Sequence, residues 1–299
     1  MKNSGLVFIK PHAVTRNTVL FVEEYIEKTG IVIENSGKLT GGEIDKQGIV
    51  DRHYFSISNT AMKVQPAALE IQADVQSAFF GAFGTSWEAA TGSGRVFNSA
   101  QYMAEFGIGS GKELSRIWTG GEFMKLGPGL YVCKVKDADI FIINGFYPGM
   151  RERFTAPEAE ILWYAVAFEQ AKLAWKDFRG SVIGATDPSK AGEGSIRNRL
   201  FAEYSSFGLQ FRPTMSDNGV HASAGPIEGM RERMVWAGIA PEESELGRAL
   251  LNKGITREEL DQLLENGETV FRGKKGPVFD ITEDCDTESV LNDIRLSGI

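Results

Sequence analysis

The order of apolar and polar positions along this chain predicts a strand, a helix and a second strand, then a long interrupted middle and a helical close. Leu6 to Lys10 is an apolar run ended by a lysine, as in a buried strand. Val19 to Lys28 has helical spacing, with Leu20, Phe21, Tyr25 and Ile26 expected inward and Gly30 as the stop. Ile31-Val32-Ile33 through Leu39 reads as a strand, and Gly41-Gly42 opens a helix that runs past Tyr54. Another helix is expected from Pro66 to about Phe83. Leu130 to Val135 and Ile140 to Ile143 flank a Lys136-Asp137-Ala138-Asp139 turn and predict a β-hairpin. Ile161 to Phe168 is apolar almost throughout, as in a strand buried on both faces, and Gln170 to Phe178 follows as a helix. After Ser223, a cap candidate, and Pro226, the residues Ile227, Met230, Met234 and Val235 mark a helix with an apolar face. Pro241 to Glu265 reads as two short helices hinged at Asn252-Lys253-Gly254, and Val290 to Leu296 as a last one.

At 299 residues and 42% apolar content the chain can bury a sizeable core, as one elaborated domain or two. Leu6-Val7-Phe8-Ile9 is cut short by Lys10 and Pro11, and no stretch approaches the roughly 20 apolar residues of a membrane helix, so no membrane partner is expected. Cys133 and Cys285 lie far apart without metal-ligand spacing, which fits a reducing, cytoplasmic setting. The net charge of −8 argues against broad nucleic-acid binding and requires any phosphate site to work through local cations. Lys10, Arg179, Arg197 and Arg199 are the candidates.

The chemistry concentrates in Asn218-Gly219-Val220-His221-Ala222-Ser223. His221 is one of only three histidines, flanked by small residues that leave its ring approachable. Glu232, on the following helix, can fold back onto one ring nitrogen and leave the other to attack. The competing reading is an exposed loop histidine beside a solvated Arg231-Glu232-Arg233 cluster. Two other motifs fail. Gly107 to Lys112 has Phe106 where a phosphate loop needs its first glycine and Glu113 where it needs Ser or Thr, leaving a flexible loop; Asp280 to Glu288 lacks the glycine of a calcium loop.

Further motifs fall in register with these. Lys10-Pro11 ends the first strand, Gly184-Ala185-Thr186-Asp187-Pro188 leads to Arg197 eleven residues after Thr186, and Glu232 follows Ser223 by nine. Trp236 follows four later. In order and spacing the chain resembles the nucleoside diphosphate kinases, over roughly 1–82 and 158–240, with an insertion at 83–157 and a C-terminal helical extension at 241–299.

That resemblance implies an α+β fold, a ferredoxin-like antiparallel sheet with packed helices. It implies ping-pong transfer of the γ-phosphoryl of a nucleoside triphosphate to a nucleoside diphosphate through phospho-His221. Ser223 and Glu232 would orient the ring, and Lys10, Asn218, Arg197 and the Tyr54 hydroxyl would donate to phosphate oxygens. Thr186 and Arg197 would hold the inner phosphate, Phe80 of Phe79-Phe80-Gly81 would stack on the base, and Mg²⁺ would be held by the nucleotide phosphates. Arg179 stands one place before the family's arginine, where this chain has Gly180. A homo-oligomer is one expected assembly. The alternative is a family-like module of weak or no turnover that binds nucleotide or a protein partner, with the insertion or tail as its surface.

Overall fold

A computed structural model describes residues 1–296. The chain divides into two compact units, residues 1–40 together with the chain from 158 onward, and residues 41–157. The architecture mixes largely antiparallel sheets with many helices. Among the described residues no helix is long and apolar enough to cross a membrane.

The first unit is built on β1 (Lys2–Ile9), α1 (Arg16–Lys28), β2 (Val32–Thr40), β3 (Glu160–Glu169), α2 (Ile196–Ala202), β4 (Val220–Ala222) and α3 (Pro226–Ala237). The four strands form one antiparallel sheet in the order β2-β3-β1-β4. β1 and β3 are buried nearly throughout, as their unbroken apolar runs require. Val7 and Ile9 point into a core shared with Val22 and Ile26 of α1 and Ile196 and Leu200 of α2. By the period of two, Leu6 and Phe8 face the other way.

Helix α3 lies against that second face. Gly229 makes the approach possible: a Cβ there would sit 2.8 Å from the Ser4 carbonyl oxygen and 3.1 Å from the Gly5 Cα. The opposite side of α3 contributes Ile227 and Met230 to a core with Leu246, Leu250, Leu260 and Leu263. One turn further along, Arg233 is buried and paired to Glu34 at 2.9 Å.

Several expectations are corrected. Leu20 is 55% exposed, whereas Thr18, Val22 and Ile26 form the buried stripe of α1. Two positions are roughly 200° on a helix, so Leu20 faces away from both Thr18 and Val22. The helix expected from Gln170 begins only at Trp175, where the Asp286 carboxylate accepts the Trp175 N–H, and it continues as a π-helical segment, Phe178–Ile183. The extension does hold helices at Glu245–Asn252 and Arg257–Leu264. It then forms a three-stranded antiparallel sheet, with Glu268–Phe271 between Lys274–Pro277 and Ile294–Leu296. Arg272 and Gly273, both at positive φ, make the two-residue hairpin turn. The last helix is Thr287–Asp293, and 294–296 leaves it to pair with the sheet.

The second unit takes in 41–82 as well as 83–157. The helix expected through Tyr54 is three pieces, Gly41–Lys46, Ile49–His53 and Phe55–Met62. The one expected from Pro66 is a 3₁₀ turn, Pro66–Ala68, followed by Ala73–Phe83. Of the loop expected over Gly107 to Lys112, residues 107–110 lie outside any helix, while Gly111 and Lys112 open the helix Gly111–Gly120 capped by Ser110. The hairpin is present, Leu130–Lys134 against Phe141–Ile143, flanked by Glu122–Gly127 and a parallel strand Val96–Asn98. Its core holds Phe79, Trp87, Val132 and Phe141. The ends of this unit meet: Gly41 packs so close to Ala156 that an added Cβ would overlap its carbonyl oxygen.

Gly229→Ala tests the contact of α3 with β1. Alanine gains helix propensity of about 1 kcal/mol, but overpacking against backbone typically costs about 1–3 kcal/mol, so the urea midpoint should fall. A midpoint at or above wild type would show that the two elements are not in tight contact.

Candidate active site

Strand pairing puts His221 opposite Phe8. Their rings stack at 4.6 Å with 19° between planes, and Phe8 packs in turn on Trp236 of α3. From α3 the Glu232 side chain reaches back so that one carboxylate oxygen lies 2.7 Å from His221 Nε2. Its other oxygen accepts the Ser223 hydroxyl proton at 2.6 Å, and Ser223 Oγ accepts the Leu6 N–H at 2.8 Å. Glu232 is 2% exposed, and Arg233 beside it is also buried. The solvated-cluster alternative is therefore overturned. Ser223 does not cap α3 either: Gly225 holds the cap position, and the serine hydroxyl serves the carboxylate.

With a carboxylate at Nε2 the ring proton belongs there, which places the lone pair on Nδ1. Burial, reinforced by the positive charges of Lys10, Arg197 and Arg179, holds the ring pKa well below its ordinary 6.5. A neutral, oriented imidazole is a competent nucleophile and leaving group near pH 7. Glu228, one turn before Glu232, behaves differently. Burial and the neighbouring Glu232 charge push it up to about 8, although it accepts the Ala224 N–H at 2.8 Å.

The cations come from a strand end, a helix start and the π-helical segment. Lys10 follows β1; its N–H donates to the Gly219 carbonyl at 2.9 Å and its ammonium to the Ser216 carbonyl at 3.2 Å. Arg197, in the first turn of α2, donates to the carbonyls of Gly184 at 2.8 Å and Val220 at 3.0 Å, tying the Thr186 loop to β4. Asn218 donates to the Thr186 carbonyl at 3.0 Å, while its buried Oδ1 accepts no hydrogen bond and offers an acceptor to a ligand hydroxyl or N–H. Thr186 itself is exposed.

Arg179 sits on the π-helical segment and is engaged by the tail, 2.7 Å from Glu283 and 2.8 Å from Asp284. The carboxylates near these cations are thus committed, Glu232 to His221 and Ser223, and Glu283 and Asp284 to Arg179. Tyr54 and Phe80 belong to the second unit. Tyr54 is partly buried between two helices beside His53, and Phe80 is 58% exposed while Phe79 is core.

The structure thus gathers Lys10, Arg197, Asn218, Thr186, His221, Ser223 and Glu232 in one unit. Sequence reasoning missed Phe8, Glu228, Glu283 and Asp284. It also missed His12, whose Nε2 accepts the Gly219 N–H at 3.2 Å. Phe8 carried a signal, since its alternation with Val7 and Ile9 sends it to the other face. The tail acids read as solvated residues of a failed calcium loop, whereas Glu283 and Asp284 pair with Arg179.

No protein-family model matches this chain, and no curated protein does. The solved structures it is similar to include nucleoside diphosphate kinases. That of Pyrobaculum aerophilum is 18% identical, with 79% of this chain and 96% of that one covered at a TM-score of 0.39. That of Encephalitozoon cuniculi is 14% identical, with 79% and 90% covered at 0.38. A nucleoside diphosphate kinase family protein from Babesia bovis is 14% identical, with 82% and 97% covered at 0.39. TM-scores this low express a loose likeness and say nothing about which side chains act.

The two titrations have opposite signs. The unfolded His221 ring takes up a proton as pH falls through 6.5 while the folded ring stays neutral, so His221 costs stability on acidification below that value. Its imidazole resonances should remain those of a neutral ring as pH falls through 6.5. For Glu228 the folded value of about 8 lies above the ordinary 4.5, so its contribution is full below 4.5 and is lost as pH rises through 8. Glu228→Gln should therefore gain stability relative to wild type as pH rises, reaching a plateau above about 8 in urea midpoints. A constant difference across that range would contradict the buried, raised carboxyl.

Proposed function

We propose that this chain is a phosphotransferase of the nucleoside diphosphate kinase type, carrying the γ-phosphoryl on His221. The observation that supports this best is the hydrogen bond that His221 Nε2 donates to Glu232 at 2.7 Å, with Ser223 donating to the other carboxylate oxygen. The Nδ1 lone pair attacks the γ-phosphorus of a nucleoside triphosphate. An N–P bond forms, the bond to the bridging oxygen breaks, and the diphosphate leaves with that electron pair. A second nucleoside diphosphate then attacks phosphorus through a β-phosphate oxygen, and the imidazole departs neutral. The Nε2 proton stays on the ring, where Glu232 stabilises the positive charge that builds up on phosphorylation.

Lys10 and Arg197 neutralise phosphate oxygens, and Asn218 accepts from the nucleotide. Thr186 meets the inner phosphate. Following the motif resemblance, the Tyr54 hydroxyl donates a hydrogen bond to a phosphate oxygen and Phe80 stacks on the base. A magnesium ion bound to the nucleotide would supply charge screening on its phosphates. The strand order β2-β3-β1-β4 with α1 and α2 as crossings matches a split β-α-β arrangement and supports the ferredoxin-like reading. The cytoplasm, where nucleotides and magnesium are abundant, is the proposed setting.

A second reading is a nucleotide-binding or protein-binding module with weak turnover. It is favoured by one observation, the engagement of Arg179 by two tail carboxylates.

Incubation with magnesium and γ-labelled ATP should give an acid-labile, alkali-stable phosphoprotein that discharges into GDP. His221→Ala should abolish the label. Glu232→Gln should slow labelling by about 10- to 100-fold, the usual scale for loss of an orienting partner. Nucleotide binding without label in the wild type would reject the kinase and favour the module.

A further inference from the structure

The chain past the two extension helices returns to the neighbourhood of His221 as an acidic turn held at several points. Asp284 N–H donates to the Ala224 carbonyl at 2.9 Å, one residue beyond Ser223. Asp286 Oδ1 accepts from Asn3 Nδ2 and from the Trp175 N–H, each at 2.7 Å, and the Thr287 N–H donates to Asn3 Oδ1 at 2.9 Å. Asn3 is fully buried and Asp286 half-buried, so these ties anchor a turn whose Glu283 and Asp284 are themselves exposed. Asp284 is held at φ 60°, a conformation that non-glycine residues seldom adopt. So constrained, Glu283 and Asp284 both converge on one nitrogen, Arg179 Nη1.

Resting on the reading of His221 as a phosphate-handling site, we propose that the Glu283-Asp284 turn is an internal anion that occupies Arg179 and sets how strongly polyanionic phosphates bind there. Arg179 is one of three cations whose charge bears on the His221 ring. Two carboxylates on one guanidinium overcompensate it, turning a local charge of +1 into −1. Glu228 supplies little of that counter-charge near pH 7, because its carboxyl is pushed up to about 8. A phosphate ligand must therefore compete with the turn for Arg179 or bind on Lys10 and Arg197 alone. The penalty rises with the charge of the ligand, so the turn acts as a charge filter on what the site accepts.

The test is calorimetric binding of inorganic pyrophosphate and of inorganic phosphate to the full chain and to Glu283→Gln/Asp284→Asn, substitutions that keep side-chain size. The double variant should bind pyrophosphate about tenfold more tightly, with a smaller gain for phosphate. Adding Arg179→Gln should erase the gain. Asp284→Asn alone should shift affinity in the same direction by less, and it guards against loss of the fold. Wild-type binding that the substitutions leave unchanged or weaken would overturn this inference alone. A gain that survives Arg179→Gln would overturn the contact as its cause. Failure of both wild type and variants to bind pyrophosphate would overturn the reading of the His221 site, and this inference with it.

Discussion

The buried carboxylate of Glu232 is the constraint from which the site follows. A carboxylate taken out of water is costly unless its oxygens are hydrogen-bonded. Here one oxygen is met by His221 and the other by Ser223, which is itself fixed by the Leu6 N–H of β1. Meeting both demands requires β4 to pair with β1 in its observed register, so that His221 stacks on Phe8 and Ser223 lies beside Leu6. It also requires α3 to come down onto β1 at Gly229. Sheet register, helix approach and ring orientation are thus one requirement expressed three times, and a slip of one residue in β4 would send the imidazole to the opposite face.

Much of this was legible from spacing. The motifs around Lys10, Thr186, Arg197, Asn218, His221, Ser223 and Glu232 name groups that the first unit does bring together, although β4 is only three residues long and shows no period of its own. What failed did so for physical reasons. A serine two residues before a Gly-Pro helix start looks like a cap whether or not its hydroxyl is needed elsewhere. Leu20 looks inward on composition, but the stripe through Thr18, Val22 and Ile26 leaves it outside. The tail sheet escaped notice because its strands, three or four residues each, are too short for alternation to register, and one of them is Lys-Lys-Gly-Pro. Tyr54 and Phe80 rest on motif resemblance, and their geometry is that of a separate unit.

The segment beyond 240 is no appendage to the sheet unit. Helix α3 gives one side to β1 and the site and the other to the leucines of the extension, so it is buried nearly all round. The tail then reaches Asn3 at the start of β1 and Trp175 at the start of the segment that bears Arg179. Whatever loosens the extension is felt at both the helix that carries Glu232 and the strand that carries Phe8.

The meeting of Gly41 with Ala156 bears on how the chain folds. Thr40 and Glu160 are partners across β2 and β3, neighbours in the sheet yet roughly 120 residues apart in sequence. Closing so long a loop as random coil would be slow and entropically costly. The close packing of Gly41 on Ala156 brings the ends of the second unit together and leaves β2 and β3 at the spacing of an ordinary hairpin. To the sheet that unit is then a turn, however many residues it contains, and a topology of high contact order behaves as a local one.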